Sequence, residues 1–369
     1  AVRQPPIPAE RIEVYPDRAA WLAGRAAGLS GFPRCACGHL DIDHGGPFDE
    51  DGDPATCTIC ACQGMAPYVP AQHRIGASEV GAILGCAPYR CAWDVWSARQ
   101  GLTPPVDAAQ ERTFARGHRY ELRALQDFAE ESGTYVCQPW AIWDPENRDA
   151  QVIVRGAEQW ATCTPDGLTL ADRWGGAEAK TSSDPRAWGT SQVIERWDDA
   201  LAAVIPAHYA AQCYWSLECT GLATWTLVVL LPWYEVRWYV LHRDEEMQRA
   251  LVDTVGEWRE RHLVRGEAPE ITGDAACGRW LAQQFPGGAG PRVATDREAA
   301  VVRRMRELAR QAREAERERD LLRHMLAASI GDAAKIRLPD GSSYTPRRSG
   351  SPAPQDDDAA DPLDFGCLL

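Results

Sequence analysis

The sequence predicts a mixed α/β protein with additions at both ends, and three observations carry that prediction. Between Gln72 and about Pro269, amphipathic stretches of helical period alternate with short β-branched runs, the pattern of a mixed sheet flanked by helices. Ahead of it lies a Gly/Asp/Pro-rich segment holding five cysteines and two histidines but little apolar content. Behind it runs a long charged stretch of helical period. With 45% apolar residues and 15 tryptophans in 369 residues, the chain has the material for a core, which rules out wholesale disorder.

Residues 1–34 read as an irregular arm with one short helix around 18–27. Residues 35–70 form the Cys/His module, which cannot fold on burial alone and needs a metal staple. In the core region, 71–270, Ser78 can cap a helix that continues through Gly81, Ile83 and Leu84. Residues 116–133 read as an amphipathic helix stopping at Gly133. Strand-like runs follow at 152–156, 161–170 and 175–181, and a helix at 207–219. Residues 224–231 and 235–243 flank Pro232, Trp233 and Tyr234, the signature of a hairpin. Residues 245–263 give a further amphipathic helix. A Gly/Pro-containing linker is expected over 271–292. Within 293–350 comes a charged helix with Met305, Leu308, Ala312, Ala315, Leu322 and Leu326 at 3–4 spacing, a coiled-coil-like seam that Arg319 interrupts. A small hairpin is expected around Asp340-Gly341. Residues 351–369 form an acidic tail expected to be disordered.

The net charge of −14 argues against a simple basic coat for nucleic acid, although carboxylates that hold cations also add negative charge. The longest apolar stretch, from Leu222 to Trp233, is too short and interrupted for a membrane span. The N-terminal AVRQPPIPAE lacks an apolar signal segment, so a cytoplasmic location is expected. Of the 39 basic residues, two are lysines, Lys180 and Lys335.

The most informative chemistry is Thr164-Pro165-Asp166-Gly167 followed by Glu178-Ala179-Lys180. Residues i and i+2 of a strand share a face, so Glu178 and Lys180 project together. Asp166 is read as closing the preceding strand, with a turn returning it beside Glu178. Two carboxylates and an ammonium suit a hard divalent cation such as Mg²⁺ or Mn²⁺, with Lys180 orienting or deprotonating a water. The alternative is an ordinary surface hairpin. Arginine replaces lysine almost everywhere, yet Lys180 remains, and a lysine can be deprotonated where an arginine cannot. Glu121 shares a helical face with Leu125 and Phe128, while Arg119, Arg123, Gln126, Asp127 and Glu130 point away; a carboxylate on an apolar face needs a metal or a salt bridge. Tyr209 and Gln212 sit at i, i+3 on an otherwise apolar helix and can face the same site.

The blocks RIGASEVGAILG (74–85), RGHRYE (116–121), TPDG (164–167), EAK (178–180), YAAQ (209–212) and YVLHRDEE (239–246) come in the order and approximate spacing of the YqaJ-type viral recombinases. The chain thus resembles the family of phage lambda exonuclease within the PD-(D/E)xK nucleases, from about Arg74 to Leu263. The resemblance implies a restriction-endonuclease-like core and a Mg²⁺-dependent nuclease that digests the 5′ strand of duplex DNA from an end. By the same resemblance Asp166, Glu178 and Glu121 look like metal ligands, Lys180 like the residue handling the attacking water, and Gln212 like the glutamine that positions the site. Ser78 resembles a contact to the 5′-phosphate, with Arg74, Arg116 and Tyr209 grouped on the DNA side. The gap from Arg74 to Ser78 is shorter than in the lambda enzyme. Also implied are a ring-shaped homotrimer, a single-strand annealing protein as partner, and the host cytoplasm for a phage-encoded protein. The acidic tail, ending in apolar residues, is either a docking segment for that partner or a solubilising tail with no ligand. An endonuclease of the same fold and a non-catalytic zinc-bearing interaction protein are the competing readings.

The Cys/His segment offers Cys35, Cys37, His39, His44, Cys57, Cys60 and Cys62, of which four can form a tetrahedral structural zinc site. An Fe–S cluster is the alternative; the interleaved histidines favour zinc. The many aspartates around the module point to stapling or a protein contact rather than phosphate binding.

Overall fold

The computed structural model describes residues 5–17, 19–20, 69, 71–101, 108–287, 290–331, 335–339 and 343–344. The seven Cys/His ligand candidates, most of the N-terminal arm and the acidic tail lie outside them. The chain divides into two compact units, one covering 1–285 with 365–369, the other 286–364.

The expected mixed α/β class holds. The first unit is built on a six-stranded mixed sheet in the order β3-β6-β7-β9-β10-β8. Its strands are β3 (Tyr135–Cys137), β6 (Gly167–Leu170), β7 (Trp174–Thr181), β8 (Gln192–Ile194), β9 (Thr224–Leu230) and β10 (Val236–His242). At the centre β7 and β9 run parallel, pairing Glu178 with Leu227 and Lys180 with Val229. The apolar run of β9, Thr224-Trp-Thr-Leu-Val-Val-Leu230, is what a strand covered on both faces requires. Gly176 lies opposite Trp225, and a Cβ there would overlap the indole, which explains the glycine pair that precedes Glu178. The anticipated hairpin of β9 and β10 turns through Pro232–Tyr234, where Trp233 and Tyr234 both take positive φ and remain exposed.

A second sheet, ordered β1-β4-β5-β2, comprises β1 (Ile12–Tyr15), β2 (Ile75–Gly76), β4 (Gln151–Arg155) and β5 (Ala161–Cys163). Two expectations change here. The run 161–170 is not one strand: Thr164-Pro165-Asp166 interrupts it, and its halves belong to different sheets. Asp166 therefore opens β6 instead of closing a strand. The N-terminal arm, expected to be irregular, supplies β1, which pairs antiparallel with β4. Glu13 of β1 is buried and ion-paired to Arg74 (3.0 Å) and Arg155 (3.3 Å), so burial costs are offset by two guanidinium partners.

The helices of the first unit are α1 (Ala77–Ile83), α2 (Ala92–Arg99), α3 (Ala108–Ser132), α4 (Trp140–Trp143), α5 (Trp197–Ala202), α6 (Ala207–Thr220), α7 (Glu245–Arg259) and α8 (Ala275–Gln284). Of these, α3 and α6 pack on opposite faces of the six-stranded sheet. Ala124, Leu125 and Phe128 of α3 pack on Ala177, Ala179 and Val228. The largely buried α6, with Tyr214, Trp215 and Leu217, anchors the larger cluster around Trp225, Leu227 and Tyr239. Asp127 of α3 departs from its expected solvent face: it is buried, paired to Arg123 at 2.7 Å. Ser78 sits within the first turn of α1 rather than capping it, and the Glu79 carboxylate accepts from the Gly76 N–H at 2.9 Å. The stretch expected as a linker carries α8, capped by Asp274, whose Cys277 and Trp280 pack on Cys91 and Trp93.

In the second unit, the charged helix α9 spans Asp296–Ile330 behind a Thr295 cap, and Met305, Leu308 and Leu322 of its seam are exposed. β11 (Ile336–Arg337) and β12 (Ser343–Tyr344) pair antiparallel, as the hairpin reading expects. Among the described residues no helix is long and apolar enough to cross a membrane.

Candidate active site

Alternation along β7 separates two kinds of residue. Ala177 and Ala179 pack under α3, while Glu178 and Lys180 project to the other face, where α6 lies. There the Glu178 carboxylate is buried and its Oε1 accepts two hydrogen bonds, from Lys180 Nζ and Gln212 Nε2, both at 2.6 Å. Bonds from a cation and an amide to one carboxylate oxygen are the short, charge-assisted kind. Tyr209, one helical turn before Gln212, carries the Lys180 ammonium over its ring, 5.2 Å from the centroid. Its other support is Trp188, stacked at 5.5 Å.

Asp166 arrives from the neighbouring strand. Its backbone N–H donates to Ala177 O at 3.1 Å, and its Oδ2 accepts from the Ala179 N–H at 2.8 Å. These bonds fix the carboxylate beside β7 between Glu178 and Lys180. Oδ1 of Asp166 and Oε2 of Glu178 have no donor among the described residues. Burial, then the charges of Glu178 and Glu121, push the Asp166 carboxyl well above the usual carboxylate range, against the pull of Lys180. Burial opposes the charge on Lys180, but Glu178 and Asp166 outweigh it and hold the ammonium above the usual lysine range. Next door, burial and then Lys180 push the His208 imidazole down to about 4.

Asp166, Glu178, Lys180 and Gln212 line a cavity of about 250 Å³. Ser78, exposed on α1, and Glu121 of α3 also line it. Glu121 Oε1 pairs with His118 Nδ1 at 2.8 Å, a partner the sequence reading did not single out although the i, i+3 spacing in RGHRYE places them together. Arg74 reaches the cavity wall with its guanidinium engaged by Glu13 and by Val69 O. Arg99 was also missed: it lines the cavity while paired to Glu79 at 2.7 Å, and nothing in its spacing marks that contact in advance. Arg116 is exposed on α3 and is not among the lining residues. The structure thus gathers Asp166, Glu178, Lys180, Gln212, Glu121, Ser78 and Arg74 around one cavity, with Tyr209 behind Lys180, and leaves Arg116 outside.

Residues 71–223 match the YqaJ-like viral recombinase domain. The chain carries a YqaJ-like domain. Asp166, Glu178, Lys180 and Gln212 all fall within it, whereas β1, β9, β10, α7 and α8 fall outside. The chain is similar to an alkaline exonuclease (LHK-Exo) from Laribacter hongkongensis, at 17% identity, a TM-score of 0.37, and coverage of 53% of this chain and 91% of that one. A phage-related exonuclease from Haemophilus somnus 129PT gives 11% identity, a TM-score of 0.35, and coverage of 53% and 96%. No curated protein matches the chain.

Proposed function

We propose that the chain is a divalent-metal-dependent deoxyribonuclease that removes nucleotides from the ends of duplex DNA, 5′ to 3′, in phage or prophage recombination. The observation that carries this reading is the arrangement of Asp166, Glu178 and Lys180. Two carboxylates each keep one oxygen free of protein donors, and an ammonium stands beside them. The YqaJ-like domain supports the choice of DNA.

The donor set fits a hard divalent cation. Burial, and then the neighbouring charges of Glu178 and Glu121, make the Asp166 carboxyl resist ionisation, which is the condition a cation relieves. Asp166 and Glu178 would hold Mg²⁺ or Mn²⁺, since such ions need one or two carboxylates and keep several waters. Among the described residues no three His, Cys, Asp or Glu side chains form a complete cage, and Glu121 is engaged by His118. Once bound, the ion supplies charge stabilisation at the scissile phosphate.

The chain's own residues do the rest. Lys180, bonded to Glu178 at 2.6 Å, stands where it can orient the attacking water, take its proton or donate to a phosphate oxygen. Gln212 and Tyr209 keep Glu178 and Lys180 in register, which is positioning worth rate when reacting atoms must be aligned. Ser78 is the proposed contact for the 5′-phosphate, backed by Arg74, and Arg116 the proposed contact for duplex farther out. Ring closure by three copies and cooperation with a single-strand annealing protein belong to the same proposed role.

The test is a gel assay on linear and on closed circular duplex with Mg²⁺ or Mn²⁺. Linear DNA should be degraded and circular DNA spared. EDTA, Asp166→Asn and Lys180→Met should each abolish cleavage in folded protein. Cutting of circles would replace the exonuclease by an endonuclease, and undiminished activity of Lys180→Met would refute the site.

A further inference from the structure

Beside the acidic cavity lies a second one, of about 190 Å³, that shares His118, Glu121, Gln151, Thr164 and Asp166 with it. Its distinctive wall is Trp140, the first residue of α4. Ile142 and Trp143 of the same short helix pack on the main core; Trp140 is not part of that cluster. Trp140 is half-buried, so part of its indole faces the cavity and solvent rather than the core. Arg148 stands over the ring with Cζ 5.8 Å from the centroid. Arg148 is exposed and has no carboxylate partner among the described residues, in a chain that is strongly acidic overall. Gln138 adds an amide at the same wall.

We propose that this cavity is a nucleobase subsite, with Trp140 as the stacking platform for the base next to the scissile phosphate and Arg148 as the contact to the flanking phosphate. The proposal rests on the nuclease reading and extends it to how a strand end is held. A flat aromatic face accepts any base, which suits digestion without sequence preference. An unpaired guanidinium is the side chain best matched to a phosphodiester. The two groups face opposite needs of one nucleotide, and the shared wall puts them one step from Asp166 and Glu178.

The experiment is equilibrium binding in EDTA, so that nothing is cleaved, read as fluorescence anisotropy of blunt duplexes labelled at the far end. One set has a normal terminal nucleotide; the others have an abasic one, on either strand in turn. Wild type should bind one abasic set about 5- to 150-fold more weakly, the range for loss of one stacked base. Trp140→Ala should lose the same factor on normal ends and nothing further on abasic ends, and Trp140→Phe should restore most of it. Arg148→Gln, at an exposed position where folding is not at risk, should weaken both kinds of end equally and reduce the salt slope by about one. Equal loss on normal and abasic ends with Trp140→Ala would make the tryptophan a mere wall and overturn the subsite, as would wild-type binding by that variant or an unchanged salt slope with Arg148→Gln. Base-dependent binding without cleavage under any divalent metal would leave the subsite standing and remove the nuclease reading alone.

Discussion

Gln212 offers the sharpest quantitative test of how the acidic centre is held. Its amide donates to a buried carboxylate oxygen at 2.6 Å, and that oxygen has one other donor, Lys180. Gln212→Leu keeps the volume and deletes the donor. A hydrogen bond to a charged group contributes about 1.5–3 kcal/mol, more than the roughly 1 kcal/mol of a neutral bond. For a unit of this size, 1 kcal/mol corresponds to about 2–4 °C, so the melting temperature in EDTA should fall by about 3–10 °C. A bond made equally before and in the transition state leaves kcat unchanged; if it strengthens in the transition state by that full energy, its loss lowers kcat by about 10- to 150-fold. Gln212→Glu is the harsher variant. It puts a second carboxylate where the amide donated, and like charges about 4 Å apart at an effective dielectric of about 20 repel by about 4 kcal/mol. That variant should melt lowest in EDTA and recover when Mg²⁺ or Mn²⁺ is added or the pH is lowered. Thermal melts of the three proteins, with and without cation, decide the matter. A Gln212→Leu protein that melts with wild type, or a Gln212→Glu protein indifferent to cation, would show that this oxygen is not held as described.

Three other outcomes are expected. His208 ordinarily titrates near 6.5 and is held near 4 in the folded chain. The unfolded chain therefore binds the extra proton between those values, and stability should fall by up to about 2–3 kcal/mol as pH drops from 7 to 4. Subtracting the curve of His208→Asn from that of wild type should isolate this loss, and parallel curves would refute it. Glu13→Gln removes the charge that two buried arginines share and should cost about 3–5 kcal/mol, read as a lower urea midpoint. Elemental analysis of purified protein should find about one zinc per chain, from four of the cysteines and histidines between Cys35 and Cys62; iron in its place would point to a cluster.

The elements most readable in advance were those whose signal is local. The apolar run of β9, the hairpin through Pro232 and the amphipathic α3 and α7 each follow from a period or a breaker within their own residues. Glu178 and Lys180 share a face because a strand has period two, and Tyr209 and Gln212 share one because a helix turns every 3.6 residues. What escaped was non-local. Nothing within 161–170 says that its halves pair with different partners, although Pro165, unable to donate to a ladder, marks where the break falls. Four residues of β1, with a glutamate among them, do not read as a strand until Arg74 and Arg155 are known to surround it. The helix α8 did announce itself through Asp274, a capping residue three positions ahead of the Cys277 N–H it accepts from; the glycines around it masked that cue. Arg99 stayed hidden because its pairing with Glu79, 20 residues away, follows no period, whereas the i, i+3 spacing of His118 and Glu121 was legible and went unused.

The pairing of β1 with β4 has a practical consequence for anyone trimming this protein. The YqaJ-like match begins at residue 71, yet β1 ends 56 residues earlier, at Tyr15, and closes the edge of the sheet that places Gln151, Ile153 and Thr162 on the cavity wall. A fragment cut at the match boundary would expose β4 as a bare ladder edge, the kind that recruits strands from other molecules. It would also strip Arg74 and Arg155 of Glu13, the buried carboxylate they share. The unit of homology is therefore smaller than the unit of folding, and insolubility of such a fragment would report on its missing first strand rather than on the catalytic domain.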